Sequence, residues 1–150
     1  MRTLPCKVVL VLEDDENDRF FIERAFKENN FDGKLIMLEN GQAGIDYVSG
    51  AGSYSDRQKY PLPDLVLTDL KMPRVSGMEF LRWMKQHTDF RSIPVIVLSA
   101  SGQERDVQEA YCQGANAYLL KPSAPAERRE LIGRLLAFWS SSQRPPTIKC

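Results

Sequence analysis

Histidine is nearly missing from this chain: His87 is the only one in 150 residues. It falls at the polar end of a helical stretch, and there is no GxSxG run, so a serine hydrolase finds no support. Cysteine is scarce as well. Cys6, Cys112 and Cys150 are odd in number and far apart, and none has a CxxC neighbour. They read as reduced thiols in a cytosol, not as a disulfide framework, a zinc site or a redox pair. No apolar run approaches the roughly 20 residues of a membrane span. Val8–Leu12 is too short for a signal peptide and lacks a cleavage site. Neither charge is in excess, with 20 Lys and Arg against 20 Asp and Glu. Without a global field to draw in nucleic acid or a membrane, neither is an expected partner, and the expected location is the cytoplasm. Phosphate-binding glycine loops are missing too. No GxxxxGK[ST] run occurs, and Gly50-Ala51-Gly52 lacks the third glycine of a dinucleotide loop and follows a helix.

What is present is an alternation of strand and helix, repeated five times. Short apolar runs at 8–12, 34–39, 64–69, 94–99 and 116–120 read as strands. Helical spacing occupies 17–29, 40–49, 77–87, 103–113 and 125–139, with Gly114 suited to a left-handed cap and Pro125 to a first turn. The pattern predicts one α/β domain over residues 1–139, a doubly wound, five-stranded parallel sheet with five helices. Residues 140–150 are polar and proline-containing, and are expected to be a loosely ordered tail. Residues 50–63 form a surface excursion long enough to invite a role.

Parallel strands present their carboxyl ends on one side, where ligands of such folds bind. Three ends carry chemistry: Glu13-Asp14-Asp15, Asp69, and Lys121-Pro122. Carboxylates so close repel by roughly 4 kcal/mol per pair at 4 Å and an effective dielectric of 20. A divalent metal and the lysine are the natural counterweights. Asp69 could be a metal ligand, a nucleophile for a phosphoryl group, or a turn residue. Glu13 and Asp14 could instead cap the next helix, a task that Asp15 or Asn17 can perform. A plausible Mg²⁺ shell is Asp14, Asp69, a backbone carbonyl near Lys71 and waters, one of them held by Glu13. Ser99 is a turn former or a hydroxyl donor to a phosphoryl oxygen. Proline after Lys121 permits a cis bond, which would aim the lysine inward.

These elements, in this order, resemble the receiver domain of two-component response regulators. The likeness runs over roughly residues 6–139 through Glu13-Asp14-Asp15, Asp69 with Met72-Pro73 and Gly77, Ser99-Ala100, Gly114-Ala115 and Tyr118-Leu119-Leu120-Lys121-Pro122. It implies a flavodoxin-like fold with Asp69 as phosphoacceptor, charged by a sensor histidine kinase or a small phosphodonor. It further implies Mg²⁺ on Asp14, Asp69 and the Lys71 carbonyl, with Glu13 acting through water. Ser99 and Lys121 would hold phosphoryl oxygens, and Tyr118 occupies the family's switch position. Such a protein catalyses only its own phosphorylation and dephosphorylation. The excursion at 50–63 and the ending at 135–139 resemble the stand-alone regulators paired with bacterial and cyanobacterial phytochrome kinases, whose output is a partner or a second copy.

Two apolar excesses lie outside this scheme. The last helix carries Leu131, Ile132, Leu135, Leu136, Phe138 and Trp139, broader than one core stripe. A homodimer face is expected there, with Tyr111, Leu131, Leu135 and Phe138. Phe20 beside Phe21 leaves one ring exposed near the acids, a candidate for kinase docking. Two rivals remain: a phosphorelay shuttle passing phosphate to a histidine on another protein, and a Mg²⁺-dependent phosphatase with Asp69 as nucleophile. Lys71 stands where haloacid-type phosphatases need a second acid.

Overall fold

The computed structural model describes residues 7–142, and Cys6 and Cys150 fall outside them. Strands are β1 (Val8–Leu12), β2 (Lys34–Leu38), β3 (Leu65–Thr68), β4 (Val95–Ser99) and β5 (Ala117–Leu120). Helices are α1 (Glu16–Glu28), α2 (Gly41–Ser49), α3 (Gly77–Gln86), α4 (Glu104–Cys112) and α5 (Pro125–Ser141). All five strands are parallel, in the order β2-β1-β3-β4-β5. The order reverses beside β1, which places a crevice beyond the ends of β1 and β3.

The strand sequences follow from this order. Within β1, β3 and β4 almost every residue is buried, because helices cover both faces. Alternate residues serve opposite faces. Leu10, Leu12, Val66 and Val97 pack with Tyr47 and Val48 of α2, Phe80, Leu81 and Met84 of α3, and Ala110 of α4. Val9, Val11, Leu65, Leu67, Ile96 and Leu98 pack with Ile22, Ala25 and Phe26 of α1 and with Ile132, Leu135 and Leu136 of α5. The edge strands β2 and β5 are mostly half-buried.

Helix ends move by a residue or two from the expected bounds, for reasons visible at the caps. Asp15, not Asn17, caps α1 by accepting from Asp18 N at 2.9 Å. Asn40 is the cap of α2, not its first residue, and accepts from Ala43 N at 2.8 Å. Ser76 and Glu79 close a capping box on α3. Gly114 adopts the expected left-handed conformation, with φ 103°.

Two expectations are corrected. The helix does not stop at residue 139: α5 continues through Ser141, whose hydroxyl donates to Ala137 O at 2.8 Å. Of the expected tail, residues 143–150 lie outside the described residues. The cis Lys121–Pro122 bond is not found, since there are no cis peptide bonds among the described residues. Lys121 is placed by the sheet instead, its N–H donating to Ser99 O at 2.8 Å.

The excursion after α2 is firmly attached. Tyr47 donates its phenol proton to Pro61 O at 2.8 Å, and its ring packs with Tyr54 and Tyr60. Arg57 donates to the carbonyls of Tyr47 (2.9 Å), Tyr60 (3.2 Å) and Val48. A cation there also meets the negative end of the α2 dipole. This segment is a packed cover over the end of α2.

Candidate phosphoacceptor and metal site

Each site residue is anchored to the sheet by its backbone. Glu13 N donates to Leu38 O at 3.0 Å, Asp69 N to Leu12 O at 3.1 Å, and Lys121 N to Ser99 O at 2.8 Å. Neighbouring strands therefore fix the side chains relative to one another. The turn after Asp69 is equally constrained, because Gly77 N donates to Leu70 O at 2.9 Å. A Cβ on Gly77 would lie 1.6 Å from the Asp69 carbonyl oxygen, so only glycine lets the start of α3 approach the acid this closely.

Lys121 is the centre of the pocket. Its ammonium donates to Glu13 Oε2 at 2.6 Å, to Asp69 Oδ2 at 2.8 Å and to Asp18 Oδ2 at 2.9 Å. Asp69 Oδ1 accepts from Leu70 N at 2.7 Å, and Glu13 Oε1 from Asp15 N at 3.2 Å. Glu13 is only 2% exposed. Burial raises its carboxyl to about 7, although Lys121 pulls in the other direction. Burial also disfavours the charge on Lys121, but the hydrogen bonds it donates to Asp69, Glu13 and Asp18 outweigh it and hold the ammonium above its ordinary range.

Glu13, Asp14 and Asp69 each bring a carboxylate oxygen within 4.8 Å of the others. Three hard oxygen donors so close fit a divalent cation such as Mg²⁺ or Mn²⁺, which prefers carboxylates and retained waters. Asp14 is solvent-exposed, which leaves a way in. Lys71 lies on the rim of two open clefts, one shared with Asp14 and the other with Asp69 and Ser99.

Ser99 is buried at the end of β4, and its hydroxyl oxygen accepts from Ser101 N at 3.1 Å. Ser101 in turn donates from its hydroxyl to Asp106 Oδ2 at 2.6 Å. Tyr118 has a partly buried ring and donates from its phenol to Ser101 O at 2.7 Å. Tyr118 N donates to the Tyr111 hydroxyl at 3.1 Å.

Sequence reasoning missed Asp18 and Ser101. Asp18 sits in the first turn of α1, three residues after its cap Asp15, and locally it reads as an ordinary acid at a helix start. The Ser101 role follows from loop geometry, which a single sequence does not display. Of the surface residues, Phe20 (59%), Tyr111 (49%) and Phe138 (64%) are exposed, and Leu131 is half-buried. Leu135 is corrected: at 8% exposure it packs in the core between α5 and the sheet, so it does not present itself to a partner.

An acid pocket braced by lysine, at the reversal point of a doubly wound sheet, defines a class of phosphate-handling signalling domain. The chain belongs to the response regulator receiver domain family, whose model matches residues 9–133. Its members are signalling proteins that accept a phosphoryl group on an aspartate. It is similar to response regulator Rcp1 of Synechocystis, at 33% identity over 135 residues covering 90% of each chain. The crystal structure of the Mn²⁺-bound form of Rcp1 aligns with a TM-score of 0.83 at 32% identity, covering 93% of this chain and 99% of that one. Response regulator RPA3017, described in red light signalling of R. palustris, aligns at 0.87 with 35% identity over 93% of this chain and 99% of that one. The phosphorylated cyanobacterial phytochrome response regulator RcpA aligns at 0.87 with 27% identity over 94% and 99%. The chain is thus related to phytochrome response regulators. Among the described residues no helix is long and apolar enough to cross a membrane.

Glu13 generates a pH prediction for the metal-free protein. Its carboxyl is raised from 4.5 to about 7 by folding, so its proton favours the fold fully below about 4.5 and this contribution is lost as pH rises through about 7. The urea midpoint should fall between about pH 6 and about pH 8, and Glu13→Gln should remove most of that fall.

Proposed function

We propose that Asp69 is the phosphoacceptor and that Glu13, Asp14, Asp69 and the Lys71 carbonyl form a Mg²⁺ site beside it. The observation that carries this reading is the triple hydrogen bond of Lys121 to Glu13, Asp18 and Asp69, at a place where three carboxylate oxygens also converge. Mg²⁺, when bound, neutralises phosphoryl oxygens and stabilises charge in the transition state. An Asp69 carboxylate oxygen attacks the phosphorus of a phosphohistidine. The new O–P bond forms as the P–N bond breaks, and the departing imidazole nitrogen takes a proton. Hydrolysis of the acyl phosphate by water returns the carboxylate and releases inorganic phosphate. Lys121 and Ser99 hold phosphoryl oxygens during both steps, which are the only reactions assigned to the chain.

Phosphorylation adds about −1.5 to −2 charges and three acceptor oxygens. Ser99, Ser101 and Tyr118 form the route by which that charge reaches α4 and β5. Shifting a two-state surface from 1:99 to 99:1 requires about 5.5 kcal/mol of preference between the states. The relationship to RcpA and RPA3017 supports a phytochrome-type sensor histidine kinase as donor. Phe20, exposed on α1 beside the pocket, is assigned to docking that kinase. Tyr111 and Phe138, exposed on α4 and α5, together with half-buried Leu131 of α5, are assigned to a homodimer face.

With acetyl phosphate and Mg²⁺ the intact protein should gain the mass of one phosphoryl group, and Asp69→Asn should gain none. Turnover of the donor far beyond one equivalent without a phosphoprotein would count instead for an enzyme. Phe20→Ala should slow transfer from a phytochrome histidine kinase by about fivefold or more, as for an aromatic anchor worth about 1 kcal/mol. Its labelling by acetyl phosphate should be unchanged. Sedimentation should report two chains at about micromolar concentration, and Phe138→Glu should shift the population toward single chains by opposing charges across the face.

A further inference from the structure

An ammonium has three N–H donors, and those of Lys121 are matched by three carboxylates. Glu13 and Asp69 follow strands of the sheet. Asp18 comes from the first turn of α1 and lies outside the Glu13-Asp14-Asp69 group. Its second oxygen faces Arg128 Nη2 at 3.8 Å, too long for a hydrogen bond but close enough for attraction. Arg128 is fixed where it stands: Nε donates to Pro122 O at 2.7 Å, and the guanidinium lies 4.9 Å from the Phe21 ring centroid. A space of about 20 Å³ borders Asp18, Lys121 and Arg128 and is walled by Ile22, Leu98 and Ile132.

An arriving phosphoryl group needs a donor from an ammonium whose donors are all in use. The three bonds differ in how readily they can be released. Glu13 is buried, and among the described residues Lys121 is the single cation paired with it. Asp69 is the attachment point itself. Asp18 alone has a second cation waiting on its far side. We propose that Asp18 is a positioning residue that holds Lys121 toward α1 before phosphoryl uptake and passes to Arg128 when the ammonium turns to the phosphoryl oxygens. The inference rests on Asp69 as the phosphoacceptor. It makes the Asp18–Arg128 pair the link between the pocket and the start of α5.

The test is a comparison of phosphoryl uptake from acetyl phosphate at saturating Mg²⁺ in the full chain. Asp18→Asn keeps the shape of the side chain but removes its charge and so loosens its hold on the ammonium, so uptake should rise by about three- to tenfold. Arg128→Gln removes the waiting cation, so uptake should fall by a similar factor. The double variant should match Asp18→Asn, because Arg128 acts through Asp18. Unchanged uptake in Asp18→Asn, or simple multiplication of the two effects in the double variant, would overturn the proposal. A second readout needs no phosphate: NMR exchange of the Lys121 ammonium protons with water should accelerate in Asp18→Asn and return toward the native rate in Asp18→Glu. Equal exchange in native and Asp18→Asn proteins would also overturn it. If the native protein takes no phosphoryl group, the phosphoacceptor reading fails, while ammonium exchange still decides whether Asp18 holds Lys121.

Discussion

One ammonium organises the carboxyl end of the sheet. Lys121 is bonded to residues 108, 103 and 52 positions away in sequence, and it is largely buried with them. Ionised carboxylates gathered there without it would repel, and Glu13 in particular would be a charge in a dry place. Removing one partner of a buried pair costs about 3–5 kcal/mol, because the other charge is then stranded. The lysine is therefore both a structural requirement and the first cation available to a phosphoryl group. Glu13, Asp14 and Asp69 would hold a divalent cation, which would supply further positive charge beside the lysine.

The parallel sheet is what makes this convergence possible. Glu13, Asp69 and Lys121 keep a backbone hydrogen bond to the neighbouring strand one residue beyond the regular ladder. Their side chains are thus positioned by the most ordered part of the fold. The order β2-β1-β3-β4-β5 puts the ends of β1 and β3 side by side and that of β5 two strands from β3. That separation suits the long lysine side chain, which crosses over the end of β4. A short side chain at the end of β5 could not make the same bond.

How much of this was legible in the sequence depended on how directly a residue's neighbours determine it. The interior strands β1, β3 and β4 were plain because burial on both faces leaves only apolar residues between polar ends. Glu13, Asp14, Asp69 and Lys121 were plain because chemistry sits at those ends. Helix limits were less so: Asn40 looks like a helix residue until its side chain is seen to cap, and Asp15 was one of two candidates for the cap of α1. Leu135 was misassigned to an outer face because α5 is apolar around much of its girth, and only the packing against Ile96 and Leu98 shows which way it turns. Asp18 was missed for a related reason. In the sequence it reads as an ordinary acid in the first turn of α1, and Lys121 and Arg128 reach it only through the tertiary fold.

The other side of the pocket has a different character. Ser99 is held by Ser101 N, Ser101 by Asp106, and the Ser101 carbonyl by the Tyr118 phenol. These bonds form a chain from the pocket floor to the edge strand, in a loop with few apolar anchors of its own. A phosphoryl oxygen that drew the Ser99 hydroxyl toward Asp69 would break the bond from Ser101 N and change what Tyr118 can reach. Neither change disturbs the three backbone bonds that hold Glu13, Asp69 and Lys121. Rigidity on the acid side and exchangeable hydrogen bonds on the hydroxyl side are complementary: under the proposed function, the first would keep the reacting atoms in place and the second would let their charge be felt at α4 and β5. A pocket stiff on both sides could accept a phosphoryl group, but it would have no means of reporting it.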